Sequence, residues 1–228
     1  MRLQNLTWMD VERYLQNDNR IILVTGAVEQ HGYLSLLTDS MIAERIAEAA
    51  GEREGVIVAP PLPFGISKEF VEFPGTISLS AAAFDMVLIE IVENLMHQGF
   101  FRFFVVNGHS GNKLPQALDD LQMEGLVRLY WYDWWLAPAA RSFEAEHGLK
   151  IDHANWAENY AFTRVGAVPE GGKAPINLEL LKSGDSLRDI AGEGSFGGAY
   201  QIDDGLMQTL FDNIVDEVTA LLRTFAGT

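Results

Sequence analysis

Short apolar runs alternate with segments of helical periodicity along most of the chain. Four runs rich in Ile, Val, Phe and Tyr, at residues 20–28, 55–60, 101–106 and 126–132, are predicted to be strands. Residues 20–28 are apolar nearly throughout, which is typical of a parallel strand that is covered on both faces. The segments between these runs favour helices.

Several predicted helices have clear signals at their ends. Thr7 and Ser80 precede helical segments as N-caps, and Asp39 stands at the N-cap position of the helix that follows the first strand. Gly51 and Gly99 are predicted to stop the second and third helices. The predicted helices cover residues 8–16, 40–50, 81–98, 113–124 and 203–225.

This alternation of strands and helices predicts an α/β fold. We expect a three-layer sandwich with a mostly parallel central sheet flanked by helices. Because the sequence contains no linker, internal repeat or low-complexity tract, residues 1–228 are predicted to form a single domain. The pattern is less regular after residue 165, where residues 191–198 are rich in glycine.

Composition excludes several classes of function. The 228 residues are 48% hydrophobic, but no apolar run approaches the roughly 18 residues that a membrane span needs, and the first residues lack a signal-peptide pattern. A cytoplasmic location without membrane association is therefore expected. The net charge of −16 disfavours nucleic acid as a partner. With no cysteine, any metal must have nitrogen and oxygen ligands, which favours Zn, Mn, Fe or Mg.

Potential ligands of this kind follow two of the predicted strands. Glu29 and His31 come directly after residues 20–28, and His109 comes directly after residues 101–106. In α/β sheets, ligands bind beyond the carboxyl ends of the strands, so these side chains are expected to meet, with Asp39 returning to the same place. The segment 153–158 adds His153 and Glu158. Together these side chains predict a metal site.

Each residue taken alone also has an ordinary structural explanation. Asp39 can be a helix cap, the pair Asn107-Gly108 is a turn signal, and a single histidine is more often a hydrogen-bonded core residue. Only the occurrence of these residues at equivalent positions of the predicted sheet favours a functional site.

The same residues resemble the motifs of the creatininase family of metal-dependent amidohydrolases, over roughly residues 20–160. The matching segments are Glu29-Gln30-His31-Gly32 with Thr38-Asp39, Asn107-Gly108-His109 with Asn112, His153-Ala154 with Glu158, and Phe73-Pro74-Gly75-Thr76.

The resemblance implies two divalent metal ions, with Zn or Mn as the first choices and Fe as a third. Glu29, Asp39 and His109 would hold one ion, while His31 and a bridging Asp39 would hold the other with one more carboxylate. In creatininase itself that carboxylate lies two residues after the histidine of Asn-Gly-His. This chain has Gly111 there, so Glu158 is the expected replacement.

The resemblance also implies hydrolysis of a C–N bond. Paired ions make hydroxide available near neutral pH and polarise a carbonyl. His153 would act as general acid, and Glu158 is assigned a catalytic as well as a ligand role. Ser110, Trp131, Asp133 and Trp134 are predicted to contact substrate, although core or subunit packing is an alternative explanation for any one tryptophan. The glycine-rich segment could supply backbone N–H groups, or be a plain loop.

This chain departs from the family pattern at two places. The stretch between His31 and Asp39 is one residue shorter and lacks a second histidine, and Phe70 stands where relatives often have histidine. Together with Gly111, these changes argue against creatinine. We expect a small amide or cyclic amide as substrate and a homo-oligomer, commonly a hexamer in this family. The alternatives are a formamide, a peptide, the C–C bond of a cyclic ketone, or a non-catalytic member that binds metal or ligand.

Overall fold

A four-stranded parallel sheet forms the centre of the protein. The computed structural model describes residues 1–183 and 186–225, so the predicted domain of residues 1–228 includes five residues outside the described part. The strands are β1 (Arg20–Thr25), β2 (Ile57–Val58), β3 (Arg102–Asn107) and β4 (Arg128–Asp133), in the order β2-β1-β3-β4. All three pairings are parallel, which confirms the predicted α/β fold.

Helices connect these strands. They are α1 (Trp8–Leu15), α2 (Thr38–Glu54), α3 (Ala81–Gln98), α4 (Gln116–Met123), α5 (Pro138–His147), α6 (Leu187–Ala191) and α7 (Asp204–Phe225). Short 3-10 helices occupy Leu3–Asn5, Lys68–Phe70, Trp134–Leu136, Trp156–Glu158 and Leu178–Ser183. The two-residue strands β5 (Gly172–Lys173) and β6 (Gly198–Ala199) pair in antiparallel orientation. The sequence pattern did not predict α5.

Both faces of the sheet are covered, because alternate residues of each strand enter different hydrophobic cores. On one face, Ile22 and Phe104 pack with apolar residues of α2, α5 and α7. On the other face, Ile21 and Phe103 pack with α3, α4 and, at its edge, α1. All six residues of β1 are buried, as expected for a central parallel strand. The result is the predicted three-layer arrangement.

Two helix boundaries differ from the sequence-based prediction. α2 begins at Thr38, with Leu37 at the N-cap position, so Asp39 lies in the first turn and is not the cap. α2 also continues through Gly51 to Gly55, which has the left-handed φ of 67° that ends the helix. Gly51 has a packing role instead, because a Cβ there would lie 2.6 Å from Cγ2 of Val58 in β2.

Other boundaries are closer to expectation. Thr7 forms a capping box with Asp10, Ser80 caps α3, and Gly99 ends α3 with a φ of 107°. β1 ends at Thr25, three residues before the predicted end, because the chain then leaves the sheet. α4 begins only at Gln116, since Pro115 occupies the N-cap position.

The carboxyl edge of the sheet places three polar residues side by side. The strand register aligns Thr25, Asn107 and Asp133. Thr25 Oγ1 donates to Asn107 Oδ1 at 2.9 Å, and Asn107 Nδ2 donates to Asp133 Oδ1 at 2.7 Å. The loops after β1 and β3 therefore start from one rigid edge. Among the described helices, none combines the length and apolar character required to span a bilayer.

Candidate metal centre

The predicted ligands converge above this edge of the sheet. Glu29 and His31 lie in the loop after β1, and His109 follows β3. Asp39 is brought to them by the first turn of α2, which packs directly on the turn after β3. A Cβ at Gly108 would overlap the backbone carbonyl oxygen of Asp39, so only glycine permits this approach. The backbone thus carries all four side chains to one buried place.

Glu29, Asp39 and His109 form the first group of potential ligands. His109 Nδ1 lies 3.0 Å from Asp39 Oδ2, and His109 Nε2 lies 3.5 Å from Glu29 Oε2. The potential ligand atoms of the three residues lie within 4.8 Å of one another, and all three residues are buried. His109 Nε2 also contacts the carbonyl oxygen of Ile66 at 2.9 Å. Because Nε2 of His109 is directed to that carbonyl, Nδ1 is the ring nitrogen that could bind a metal next to Asp39.

His31, Asp39 and Glu158 form a second group. His31 Nε2 lies 2.9 Å from Asp39 Oδ1 and 3.7 Å from Glu158 Oε2. Asp39 is common to both groups, and each of its carboxylate oxygens faces a different histidine. The other ring nitrogen of His31 contacts the carbonyl oxygen of Glu29 at 3.0 Å, which directs Nε2 into the site.

A third group joins Glu29 and His31 to His153. His153 Nδ1 lies 3.6 Å from Glu29 Oε1. Its ring packs among His31, Phe70 and Phe196, with centroid distances of 4.6, 4.7 and 4.8 Å. Burial, followed by the charge of His31, lowers the pKa of His153 well below its ordinary value.

Three buried polar atoms of the site, Glu29 Oε2, His31 Nε2 and Asp39 Oδ2, make no well-aligned hydrogen bond, although histidine and carboxylate atoms approach to about 3 Å. Burial, and then the nearby charge of Asp39, raise the pKa of Glu29 to about 7. Burial lowers the pKa of His109, but Asp39 outweighs it and raises that pKa to about 9. Buried carboxylates this close repel one another, and a divalent cation between them would remove that repulsion. The residues therefore fit a site for divalent metal held by nitrogen and oxygen atoms.

Glu158 reaches the site from the same segment as His153. It ends the short 3-10 helix Trp156–Glu158, and its Oε2 accepts a hydrogen bond of 2.6 Å from the backbone N–H of Ala154. Ala154 has a φ of 53°, the left-handed region that an alanine rarely adopts. Strain of this kind is typical of backbone that is held in place for a functional arrangement.

A cavity of about 200 Å³ opens beside these groups. Its described lining is Asp39, Gly108, His109, Ser110, Trp135, Ile151, Asp152, His153, Glu158 and Phe196. Of the residues predicted to contact substrate, Ser110 lies in this lining.

Trp134, which is predicted to contact substrate, is absent from the described lining, because its ring is fully buried in the core on the α2 face of the sheet. The next residue, Trp135, lines the cavity instead. Trp131 and Asp133 are also absent from the described lining: Trp131 Nε1 donates to Asp133 Oδ1 at 2.9 Å, and the same oxygen accepts from Asn107. These two residues stabilise the end of β4 and its contact with β3. The turn after β4 decides which tryptophan faces the cavity, and no pattern in the sequence marks that turn.

Sequence reasoning also missed the contacts of the glycine-rich segment. Phe196 N–H donates to the carbonyl oxygen of His153 at 3.0 Å, and Gly194 N–H donates to Ala191 at 3.1 Å. Gly197 N–H donates to Ser195 Oγ at 3.2 Å. These three N–H groups are already used within the protein, which leaves them unable to bind a substrate carbonyl. From this segment, the described lining of the cavity includes Phe196.

The fold and the site together define an α/β protein with a buried cluster of potential metal ligands at the carboxyl edge of its parallel sheet. The model of the creatininase family, described as creatinine amidohydrolase, matches residues 4–222. The chain therefore belongs to the creatininase family.

Individual relatives share parts of the sequence. The mycofactocin precursor peptide peptidase of Mycolicibacterium smegmatis is 37% identical over 114 residues, which are 46% of each chain. The creatinine amidohydrolase of Pseudomonas putida is 30% identical over 145 residues, which are 55% of this chain and 56% of that protein. The chain thus spans about half the length of the curated relatives it matches.

Solved structures share the fold over the whole chain. A structure from Bacteroides fragilis superposes with a TM-score of 0.80 at 24% identity, covering 100% of this chain and 97% of the other. The structure "Creatininase Mn" superposes with a TM-score of 0.79 at 21% identity, covering 100% of this chain and 99% of the other.

Proposed function

We propose that this protein is a metal-dependent hydrolase that uses two divalent cations to cleave a C–N bond in a small amide or cyclic amide. The observation that carries the proposal is the position of Asp39. One of its carboxylate oxygens lies 2.9 Å from His31 and the other 3.0 Å from His109. A carboxylate shared by two groups of ligands in this way can bridge two cations.

Each cation would have its own ligands in addition to Asp39. Glu29 and His109 would hold one, and His31 and Glu158 would hold the other, which agrees with the assignment implied by the family motifs. Imidazole and carboxylate ligands suit Zn and Mn, with Fe as a further option. Such a pair of cations supplies activated water and a polarised carbonyl.

The cavity indicates what kind of substrate fits. Trp135, Ile151 and Phe196 give it an apolar part, while Ser110 and Asp152 add polar atoms. Its described lining contains no lysine or arginine, so only the proposed cations and the histidines there could pair with a substrate carboxylate or phosphate. A volume of about 200 Å³ suits a small substrate or one end of a longer one. We therefore expect a small amide that carries no negative charge on the part that lies away from the cations.

Peptide bonds are a second candidate. The relative that is 37% identical over 114 residues is a peptide peptidase, and a peptide bond is itself an amide. A peptide would place one residue in the cavity and extend outward past Ser110, which is exposed.

We further propose that the protein is a homo-oligomer, as a hexamer if it resembles its family in this respect. Large apolar side chains are exposed on the loops that follow β1 and precede α3, including Leu36, Leu37, Val71 and Ile77. Contact with a second copy would cover them. Sedimentation analysis would give the number of copies.

Metal content and turnover, measured on the same samples, test the main proposal. Zinc-loaded and manganese-loaded protein would be assayed against small lactams, formamides, dipeptides and cyclic ketones. We expect two ions per chain in the wild type and loss of both ions and all turnover in Asp39→Asn. The matched control is Asp212→Asn, which makes the same change on an exposed face of α7. Two ions retained by Asp39→Asn would contradict the bridging role, and bound metal without turnover of any substrate would favour a non-catalytic binding protein.

A further inference from the structure

The side chain of Gln30 is buried and contacts the ring of His153. Gln30 lies in the chain between the predicted ligands Glu29 and His31. Gln30 Nε2 lies 2.8 Å from His153 Nε2. A nitrogen–nitrogen contact of this length is a hydrogen bond only when one atom donates and the other accepts.

Backbone groups on either side fix the orientation of the Gln30 amide. Its Oε1 accepts from the N–H of Gly32 at 3.1 Å, and its Nε2 donates to the carbonyl oxygen of Gly194 at 3.0 Å. Rotating the amide by half a turn would set two donors against each other at Gly32 and two acceptors at Gly194. The amino group must therefore be the end that faces His153.

An amide nitrogen donates hydrogen bonds and does not accept them. His153 Nε2 is then the acceptor and carries no hydrogen. A neutral imidazole has one N–H, so the hydrogen of His153 lies on Nδ1.

One contact on the same nitrogen opposes this assignment. The backbone carbonyl oxygen of Gln30 lies 3.1 Å from His153 Nε2 and would prefer a hydrogen there. That arrangement would leave the Gln30 amino group facing another N–H at 2.8 Å, which is closer than two donors can approach. Without the hydrogen, the carbonyl oxygen faces a nitrogen lone pair at 3.1 Å, and this repulsion between two acceptors acts over the longer of the two contacts. The contact between Gln30 Nε2 and His153 Nε2 is the shorter one, and the orientation of its amide is fixed. This contact therefore decides the tautomer of His153.

We propose that Gln30 is a positioning residue that holds His153 in the tautomer with its hydrogen on Nδ1. This inference rests on the proposed function, since His153 matters only if the site is catalytic. Nδ1 is the ring nitrogen that faces Glu29 Oε1, at 3.6 Å. His153 therefore presents a hydrogen-bond donor to the site and has no lone pair there with which to bind a cation. The group formed by Glu29, His31 and His153 is then not a metal site, and the Nδ1 hydrogen is available to a substrate oxygen or nitrogen.

Nitrogen NMR of 15N-histidine-labelled protein tests this directly. Spectra would be recorded with and without zinc, and the His153 signals assigned by their loss in His153→Gln. We expect a protonated Nδ1 and an unprotonated Nε2 in the wild type. Gln30→Glu has the same shape but accepts at this position, so it should move the hydrogen to Nε2. Gln98→Glu, which adds the same charge at the exposed end of α3, should change nothing.

Gln30→Met is a second variant for use if the buried carboxylate prevents folding. It removes the amino donor without adding charge, which leaves the backbone carbonyl of Gln30 to draw the hydrogen to Nε2. An Nε2 hydrogen in the wild type, or a tautomer that is the same in wild type and in both variants, would overturn the proposal.

Kinetics and metal content separate this proposal from the function it rests on. With an amide substrate, Gln30→Glu should lower kcat by about 100-fold, with little change in KM and with both ions retained. Failure to bind metal would overturn the proposed function but leave the NMR result on Gln30 standing. A shifted tautomer with unchanged kcat would show that Gln30 does not act through His153 in turnover.

Discussion

The ring of Phe70 packs against the imidazole of His153, with 4.7 Å between ring centroids. Phe196 packs on the same imidazole at 4.8 Å. Phe70 and Phe196 thus give one part of the His153 ring an apolar covering. The polar neighbours of His153, His31 and Gln30, contact it elsewhere.

Replacing Phe70 by histidine would put a polar ring beside His153. We expect Phe70→His to retain both ions, because the Phe70 ring offers no ligand atom to a metal. We expect the ratio of kcat/KM between two amide substrates to change by roughly 10-fold, the size that one altered contact in a binding site produces. Phe64→His, a similar change at an exposed position of the same loop, should leave the ratio unchanged.

His153 itself should be needed for turnover and not for metal binding. His153→Gln is expected to lower kcat by a factor of about 100 to 10,000, the usual range for loss of an acid–base group. Elemental analysis of the same sample should still find two ions per chain. The control is His97→Gln, at an exposed site in the last turn of α3. Loss of an ion from His153→Gln would instead identify His153 as a ligand.

Glu158 should affect only one of the two ions. In Glu158→Gln, the amide oxygen can still accept from the N–H of Ala154, so the loop should keep its shape. The charge that faces His31 is lost, and metal content should fall from two ions to one per chain. Glu146→Gln, at an exposed position of α5, should retain two. Full metal content in Glu158→Gln would show that another residue completes the second group.

The ion pair at the start of β1 should make stability depend on pH. Burial raises the pKa of Asp18, but hydrogen bonds from Arg20 outweigh burial and lower that pKa below its ordinary value. The pair then stabilises the fold above the unfolded-state pKa of about 3.9, and this stabilisation is lost as the pH falls through the lower folded-state pKa.

Denaturant unfolding of Asp18→Asn would measure this contribution. We expect the variant to be less stable than the wild type by about 2 kcal/mol at pH 7, with the difference shrinking below pH ~4. Asp212→Asn, on the exposed face of α7, should show a small difference that does not change in this pH range. An Asp18→Asn difference that stayed constant down to pH ~2 would contradict the assignment.

The alternation of apolar runs and amphipathic segments was sufficient to predict the sheet, its parallel direction and most helices. The prediction succeeded because a strand that is buried on both faces consists almost entirely of apolar residues. β1 is an example, since all six of its residues are buried. Positions that depend on local packing were predicted less well. Gly51 was predicted to end α2, because glycine is a common helix stop. The structure instead explains this glycine by the close packing of α2 on Val58, and that contact exists only once α2 lies on the sheet.

The sequence by itself determined which residues could hold metal, because the strand ends carry Glu29, His31 and His109 and parallel strands end at one edge. Only the tertiary structure decided the rest. It determined that Trp135 and not Trp134 faces the cavity. It placed the two carboxylate oxygens of Asp39 next to different histidines, and it brought the Gln30 amide into contact with His153. Each of these features depends on the direction in which a side chain points. Residues that are distant in the sequence fix that direction through packing and hydrogen bonds, so the local sequence pattern does not record it.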